Sequence, residues 1–598
     1  MLIGPVFTRE VTTIPRSWRL YFSRATYVAA LFGLVLTAWL ILIGSQQVRG
    51  LSDLARFGSA VFTILAPLQL AMAVAFSALL TAAAVAQEKD RHTLDLLLMT
   101  NLTNAELVLG KLLASMLGVL VLVVAAIPLL LLITLLGGVS YAEVARVVGV
   151  TLTSAIVAGS LGSTIALWRE KTFQSLAMTA LVLMLWLLGG EVLRSGIFGQ
   201  QWAGIPLEHW AAATTPLRAI LAALEPLQTG PDTLSWCGGP VGLFMIVSSA
   251  AAGLLNLWAV LRVRVWNPSQ ETQPRQASAE TGSEALTDQR SRQRASTVAA
   301  AKSREVWDNP ILWREICTWA YGKKIIAVRV AYLVIFAICA ATLGAMLGNA
   351  PDAVPRYASL LPPAAMPLAP LIVLGLVLVN ALAVTSLTNE RDLRALDLLL
   401  VTDLTPKEII FGKLGGIFFN SKEMILLPIG LSIVLWFSDR LTSEHLVFLV
   451  LALLILNVFV AMLGVHVGMT FAESRTAVAV SLSTVLFLLL GVGVCMRMML
   501  AFQSSFSQQY QAFAAFMLGG GIGLFSALGA RNPSRAIGWA SFTAPFATFY
   551  AITSFLQGSF GAAFLVTVAT YGFATAAMLV PAIYEFDVAT GRTTNQGG

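Results

Sequence analysis

Apolar positions come in long unbroken runs along this chain, and the polar positions between them are short and clustered. A helix needs roughly 20 apolar residues to cross a bilayer. The runs predict spans near 26–44, 60–86, 106–136, 143–167, 173–190 and 239–261, then near 328–347, 365–387, 409–436, 445–470, 477–499 and 558–582. A membrane β-barrel would show weak ten-residue alternations instead. The pattern therefore predicts an all-α polytopic membrane protein with about 12 transmembrane helices. A further run at 511–529, "QAFAAFMLGGGIGLFSALG", has a Gly-Gly-Gly core and no counterpart in the first half. Those two features favour a re-entrant or interfacial helix there over a thirteenth span.

The stretch 267–306 breaks the pattern: it is polar, charged, poor in aromatics and rich in Ser, Gln, Thr and Ala. It reads as a flexible linker dividing the chain into a first unit, 1–265, the linker, 266–306, and a second unit, 307–598. Lys and Arg set orientation through short loops. Arg9, Arg16, Arg19 and Arg24, then Lys89, Arg91 and Lys111, then Arg169 and Lys171, and finally the linker all fall on one side if both termini are cytoplasmic. The segment before the first span is too long and mixed for a cleavable signal, so the expected location is the cytoplasmic (inner) membrane, multi-pass.

The two units repeat each other. "GPVFTRE" at 4–10 parallels "NPILWRE" at 309–315. The clearest repeat is polar: "QEKDRHTLDLLLMTNLTNAELVLGKLLA" at 87–114 against "TNERDLRALDLLLVTDLTPKEIIFGKLGG" at 388–416. Glu88–Leu112 and Glu390–Leu414 share 14 identities in 25 ungapped positions. With six spans each, the repeats run in parallel topology rather than inverted. Leu94, Leu97 and Leu98 share a helical face, as do Leu396, Leu399 and Leu400. Arg91 and Asp95 stand four apart and can pair. Thr103 with Glu106, and Thr405 with Glu408, have capping-box spacing, and Pro406 suits a first helical position. The geometry predicted is a membrane helix, a short amphipathic helix, a tight turn and a second membrane helix. Such a helix can lie on lipid. Retention of Glu, Asp, Leu-Leu-Leu, Thr, Glu and Gly-Lys in both copies points instead to a docking surface for a partner present twice.

These loops resemble the cytoplasmic loop between spans two and three of ABC-2-type ABC-transporter permeases, whose pattern is Glu, a few charges, Thr-Leu-Glu-Leu-Leu-Leu, a turn, and Glu-Ile/Leu-Val-Leu-Gly-Lys. Asp95 and Asp397 stand where that family usually has Glu, and Ala395 replaces the Thr found at 93. The resemblance covers both units and implies two fused permease units of the type V, ABC-2 exporter kind. It implies that each loop is a coupling helix touching an ABC ATP-binding subunit that acts as a dimer. On that footing the coupling residues are Glu88, Arg91, Leu94, Asp95, Leu97, Leu98 and Glu106, then Glu390, Arg391, Leu396, Asp397, Leu399, Leu400 and Glu408. Leu97, Leu98, Leu399 and Leu400 are expected to face the ATPase and not the membrane domain's own core. ATP and Mg would be bound by the partner; no cofactor is expected in this chain, because no Gly-Lys pair (Gly110-Lys111, Gly322-Lys323, Gly412-Lys413) is followed by Ser or Thr as a phosphate loop requires.

Composition sharpens this little. Of 598 residues 57% are hydrophobic and 12% charged, with mean hydropathy +0.80. The net charge of +7 resides in loops and reads as topology, not as a nucleic-acid surface. The four Cys and four His have no ligand spacing, so no metal is expected. Lys422 and Glu423, well inside the ninth predicted span, are either interfacial, if that span starts late, or an intramembrane substrate or gating element. A non-transporting mechanotransmission subunit with the same ATPase coupling is the alternative function. An intramembrane enzyme is disfavoured by the lack of a Ser-His pair, HExxH or paired intramembrane Asp. The substrate is not legible.

Overall fold

The computed structural model of the protein describes residues 7–8, 12, 18–45, 50–91, 93–169, 171–194, 201–202, 205–224, 239–267, 307–317, 325–349, 366–393, 395–502, 506–530, 534–584 and 586. The linker, apart from Trp266 and Asn267, and most of the first seventeen residues lie outside that set.

The first unit comprises α1 (Trp18–Ser45), α2 (Leu51–Asp90), α3 (Thr93–Leu98), α4 (Asn104–Thr134), α5 (Tyr141–Trp168), α6 (Thr172–Arg194), α7 (Leu207–Thr214), α8 (Pro216–Leu224) and α9 (Gly239–Trp266). A two-residue antiparallel pairing of β1 (Gln201–Trp202) with β2 (Ile205–Pro206) precedes α7. The second unit comprises α10 (Pro310–Cys317), α11 (Ile325–Asn349), α12 (Leu368–Asp392), α13 (Ala395–Leu400), α14 (Pro406–Asn420), α15 (Lys422–Phe437), α16 (Ser443–Thr470), α17 (Ser474–Phe502), α18 (Phe506–Leu528), α19 (Arg535–Leu556) and α20 (Phe560–Tyr584). Among the described residues 11 helices are long and apolar enough to cross a membrane, or 12 if α14 and α15 form one span. They coincide with the twelve runs read from the sequence.

Helix α2 packs along α5, and α12 along α16. Glycine permits both approaches. A Cβ at Gly162 would lie 2.3 Å from the Ala78 carbonyl oxygen, and one at Gly464 would lie 2.9 Å from that of Asn380. The two sites are equivalent in the repeat, and a small residue is what lets membrane helices close to backbone contact. The units then exchange neighbours. Helix α6 of the first packs on α11 and α12 of the second, while α17 of the second packs on α1 and α2 of the first.

Two departures from the repeat matter. The ninth span, expected to be continuous over 409–436, is bent by 54° at Ser421 between α14 and α15, whereas its counterpart α4 is one helix. The segment at 511–529 belongs to α18, which turns back through α19 as a helical hairpin; its apolar part, Ala512–Leu528, is shorter than a span. The hairpin runs deep. The carbonyl of Leu528, at the end of α18, accepts a hydrogen bond from His466 Nε2 at 2.9 Å, and His466 stands near the C-terminal end of α16. In the first unit the corresponding position holds, among the described residues, α7 and α8, which pack on α6.

Candidate functional site

The repeated loops form the candidate site. Each starts from a strong local device. Thr103 N–H donates to Glu106 Oε2 at 3.0 Å, and Glu106 N–H donates back to Thr103 Oγ at 3.3 Å. Thr405 and Glu408 do the same at 2.8 and 3.3 Å, with Pro406 opening the helix. Both predicted capping boxes are present, and each supplies partners to N–H groups that the first turn cannot satisfy.

The residues before each short helix anchor it to the bundle, and do so in the same way twice. Glu88 at the end of α2 pairs with Lys111 of α4, and Glu390 at the end of α12 pairs with Lys413 of α14 at 2.6 Å. Lys89 donates to the carbonyls of Leu167 and Arg169 (2.8 Å to the latter), where α5 ends. Arg391 donates to those of Gly468 (2.5 Å) and Phe471, where α16 ends. A cation there supplies donors to the helix's unsatisfied carbonyls and opposes the dipole's negative end. Asp90 accepts from the Thr172 hydroxyl at the start of α6, and Asp392 from the Ser474 hydroxyl (2.5 Å) at the start of α17. Three consecutive residues thus tie each loop to three different helices.

Among the described residues the second copy buries more charge; Arg9 and Glu10, the first copy's counterparts of Arg314 and Glu315, lie outside that set. In the second, Lys413 Nζ also meets Glu315 of α10 at 2.6 Å and the Ser386 carbonyl at 3.2 Å, and Arg314 pairs with Glu390. The Lys413 and Glu315 side chains are each 2% exposed. Helix α10 is itself capped by Asn309, whose Oδ1 accepts from Leu312 N–H at 3.0 Å and whose Nδ2 donates to the Glu408 carbonyl at 2.9 Å. In the first copy, Arg264 of α9 braces the turn after the short helix. It donates to Asn104 Oδ1 at 2.7 Å and to the Leu98 and Leu102 carbonyls at 3.4 Å.

The short helices lie against the bundle by the predicted leucine face, which corrects one expectation. Leu94 and Leu98 (4% exposed) are buried in the protein's own core, as is Leu396, and Leu97 and Leu400 pack partly against that core. Leu98 therefore does not face a partner, and Leu97, Leu399 and Leu400 are only half-exposed. Residues four apart share the inward face, so the side chains between them turn outward. Leu96 and Met99 are exposed in the first copy, and Leu398 (74%) and Val401 (85%) in the second. Asp95 is half-buried and Asp397 exposed. Arg91, placed four residues before Asp95, reaches across to the other unit: it pairs with Asp392 at 3.3 Å, and its side chain is 43% exposed. The equivalent position in the second copy is Leu393, so this cross-unit bridge has no mirror image.

Lys422 and Glu423 do come together with other groups, at the α14–α15 bend. Lys422 is exposed, its Nζ 4.5 Å from the Phe419 ring centre. Glu423 pairs with Arg329 at 3.6 Å, and Arg329 contacts Asn420 Oδ1 at 3.5 Å. Arg329 is in the second turn of α11. Among the described residues no group of three or more His, Cys, Asp and Glu could hold a metal. Sequence reading did not count Asp90, Asp392, Lys111 and Lys413 among the coupling residues, although all four are identities in the repeat. Thr172, Ser474 and Arg264 lie too far away along the chain for any local signal, whereas Glu315 closes the repeated "NPILWRE" segment.

Residues 9–230 match the family model described as ABC-2 family transporter protein, a stretch that covers the first unit through α8. Over that stretch, a little over a third of the chain, the protein is similar to the ABC-2 transporter family. Among curated proteins and among solved structures, none matches the chain.

Proposed function

We propose that this chain is the permease subunit of an ABC transporter in which two ABC-2-type units, 1–265 and 307–598, are fused through a cytoplasmic linker. A separate ATP-binding subunit, acting as a dimer, docks one monomer on each loop and supplies ATP and Mg. Export is the direction proposed, across the cytoplasmic membrane with both termini inside. The observation that carries the reading is the doubled loop: the same three anchors hold each short helix at one end of the bundle while leaving its tip apolar and exposed. A lipid-surface helix has no need of three tethers to three spans. The docking face we assign is Leu96 with Met99 and Leu398 with Val401.

Charging these tips should separate docking from folding. In Leu96→Glu with Met99→Glu, or Leu398→Glu with Val401→Glu, membrane insertion and melting stay normal, because the side chains already stand in solvent. Co-purification with the ATP-binding subunit and coupled transport fall by about tenfold or more, as expected for losing more than 1.4 kcal/mol of apolar burial. Full association in both variants would return the helices to a lipid-anchor role. Orientation is checked separately in a chain freed of native cysteines: Gln270→Cys and Ser291→Cys should be shielded from impermeant thiol reagents in intact cells, and Ala350→Cys labelled.

A further inference from the structure

The second unit contains a feature that the coupling reading does not use. Helices α17, α18 and α19 enclose a half-open cleft of about 50 Å³, walled by Phe487, Gly491, Phe513, Gly520, Pro545 and Phe549. It lies toward the far end of the bundle from the loops, because α17 starts beside Asp392 and the cleft begins more than ten residues further along that helix. Water is a poor occupant. A buried water needs two or more polar partners, and the wall's threonine, Thr548, already shares its hydroxyl with Tyr571 at 3.2 Å. An empty cleft would forfeit the dispersion contacts of its whole lining. Helix α17, which forms one wall, is long and apolar enough to cross a membrane, so the apolar matter within reach of the cleft is lipid hydrocarbon.

The first unit shows that the opening is not a general consequence of the repeat. There α7 and α8 pack against α6, and Gly190 is closed off by Thr215, whose Oγ lies 2.3 Å from where a Cβ would stand. Trp186 Nε1 donates to the Thr214 carbonyl at 2.8 Å and seals the same seam. Gly491 and its counterpart in the repeat, Gly189, both leave room for a Cβ with nothing within 4 Å; what differs is the partner beyond them, Thr215 and Trp186 in the first unit and the α18–α19 hairpin in the second. We infer that the cleft is a binding site for one acyl chain of a bilayer phospholipid, which completes the packing between the α18–α19 hairpin and α17. The uncharged wall leaves the headgroup outside. The volume suits the end of a single chain and excludes a fused-ring lipid. This site is independent of the coupling role proposed for the loops.

The test uses the full chain in phosphatidylcholine vesicles carrying a trace of phosphatidylcholine with a diazirine at one acyl terminus. After irradiation, adducts are mapped by peptide mass. They should concentrate on 487–495 and 513–520 by about tenfold over the lipid-facing stretch 124–132, the factor that burying roughly two methylenes gives. Gly491→Phe should bring cleft labelling down to the level of that stretch. Gly491→Leu, a smaller filler, should lower it partway and keeps the test open should the Phe variant not fold. Uniform labelling, or labelling that neither filler lowers, would overturn the site. Labelling by a diazirine fatty acid but not by the phospholipid would overturn the assigned ligand.

Discussion

The two halves of this molecule repeat each other closely at the loop end and diverge at the far end. At the loop end, Glu88-Lys89-Asp90 and Glu390-Arg391-Asp392 engage equivalent partners one by one. At the far end, the first half has the short pair α7 and α8, while the second has the α18–α19 hairpin, which reaches His466 and packs α18 against α1 of the first half. The difference teaches which constraint is shared. Two copies of one partner would require two equal docking ends. Nothing requires the opposite ends to match, and there the second unit has gained mass that also fills a seam between units.

The sharpest way to break the comparison at the loop end is to remove the lysines. Lys413→Met leaves Glu315 and Glu390 to the part-exposed Arg314 as their remaining cation in a buried cluster and should cost about 3 kcal/mol. Lys111→Met frees Glu88, whose side chain is 35% exposed, and should cost about 1 kcal/mol. Unfolding of the two variants in detergent measures both, and equal losses would mean that the extra charges around Lys413 contribute nothing. The hairpin comes next. His466→Leu leaves the Leu528 carbonyl without its donor and should destabilise by about 1–3 kcal/mol, with faster proteolysis near 529–534. His466→Gln should recover part of that; no recovery would assign the loss to packing.

Smaller effects sharpen the likeness. Thr103→Ala and Thr405→Ala each remove an N-cap and should cost about 1 kcal/mol apiece; a large inequality would show that the loops carry unequal loads. Arg91→Leu, which copies the residue at 393, removes a half-exposed bridge worth about 0.2–1 kcal/mol. It should leave melting almost unchanged, and any loss of transport well beyond that would make the bridge a link between units. Lys422→Gln with Glu423→Gln should lower transport by less than about tenfold, since Lys422 is exposed and Glu423 sits at a helix bend beside the second turn of α11. A larger loss at normal expression would assign the bend to gating.

Much of this was legible without coordinates. Span positions follow from solid apolar runs, because backbone groups in hydrocarbon must bond within their own helix and every span therefore announces itself locally. The capping boxes are equally local, three residues wide. The repeated loop was visible because identities survive where three tethers converge. Its reading was incomplete: Glu88, Glu390 and Arg391 serve the bundle first, and Leu94, Leu98 and Leu396 bury into it, so part of the retained pattern is internal architecture.

What the chain's order determined, then, is the run of spans, the repeat, the caps and the grouping of the leucines on one helical face. Tertiary structure alone decided which way that face looks, since lipid, partner and own core are all apolar and periodicity cannot tell them apart. It also decided the partners of Lys413, the cross-unit reach of Arg91 and the depth of the α18–α19 hairpin. Each of these depends on groups tens to hundreds of residues apart, brought together by helix packing that leaves no local trace in the sequence.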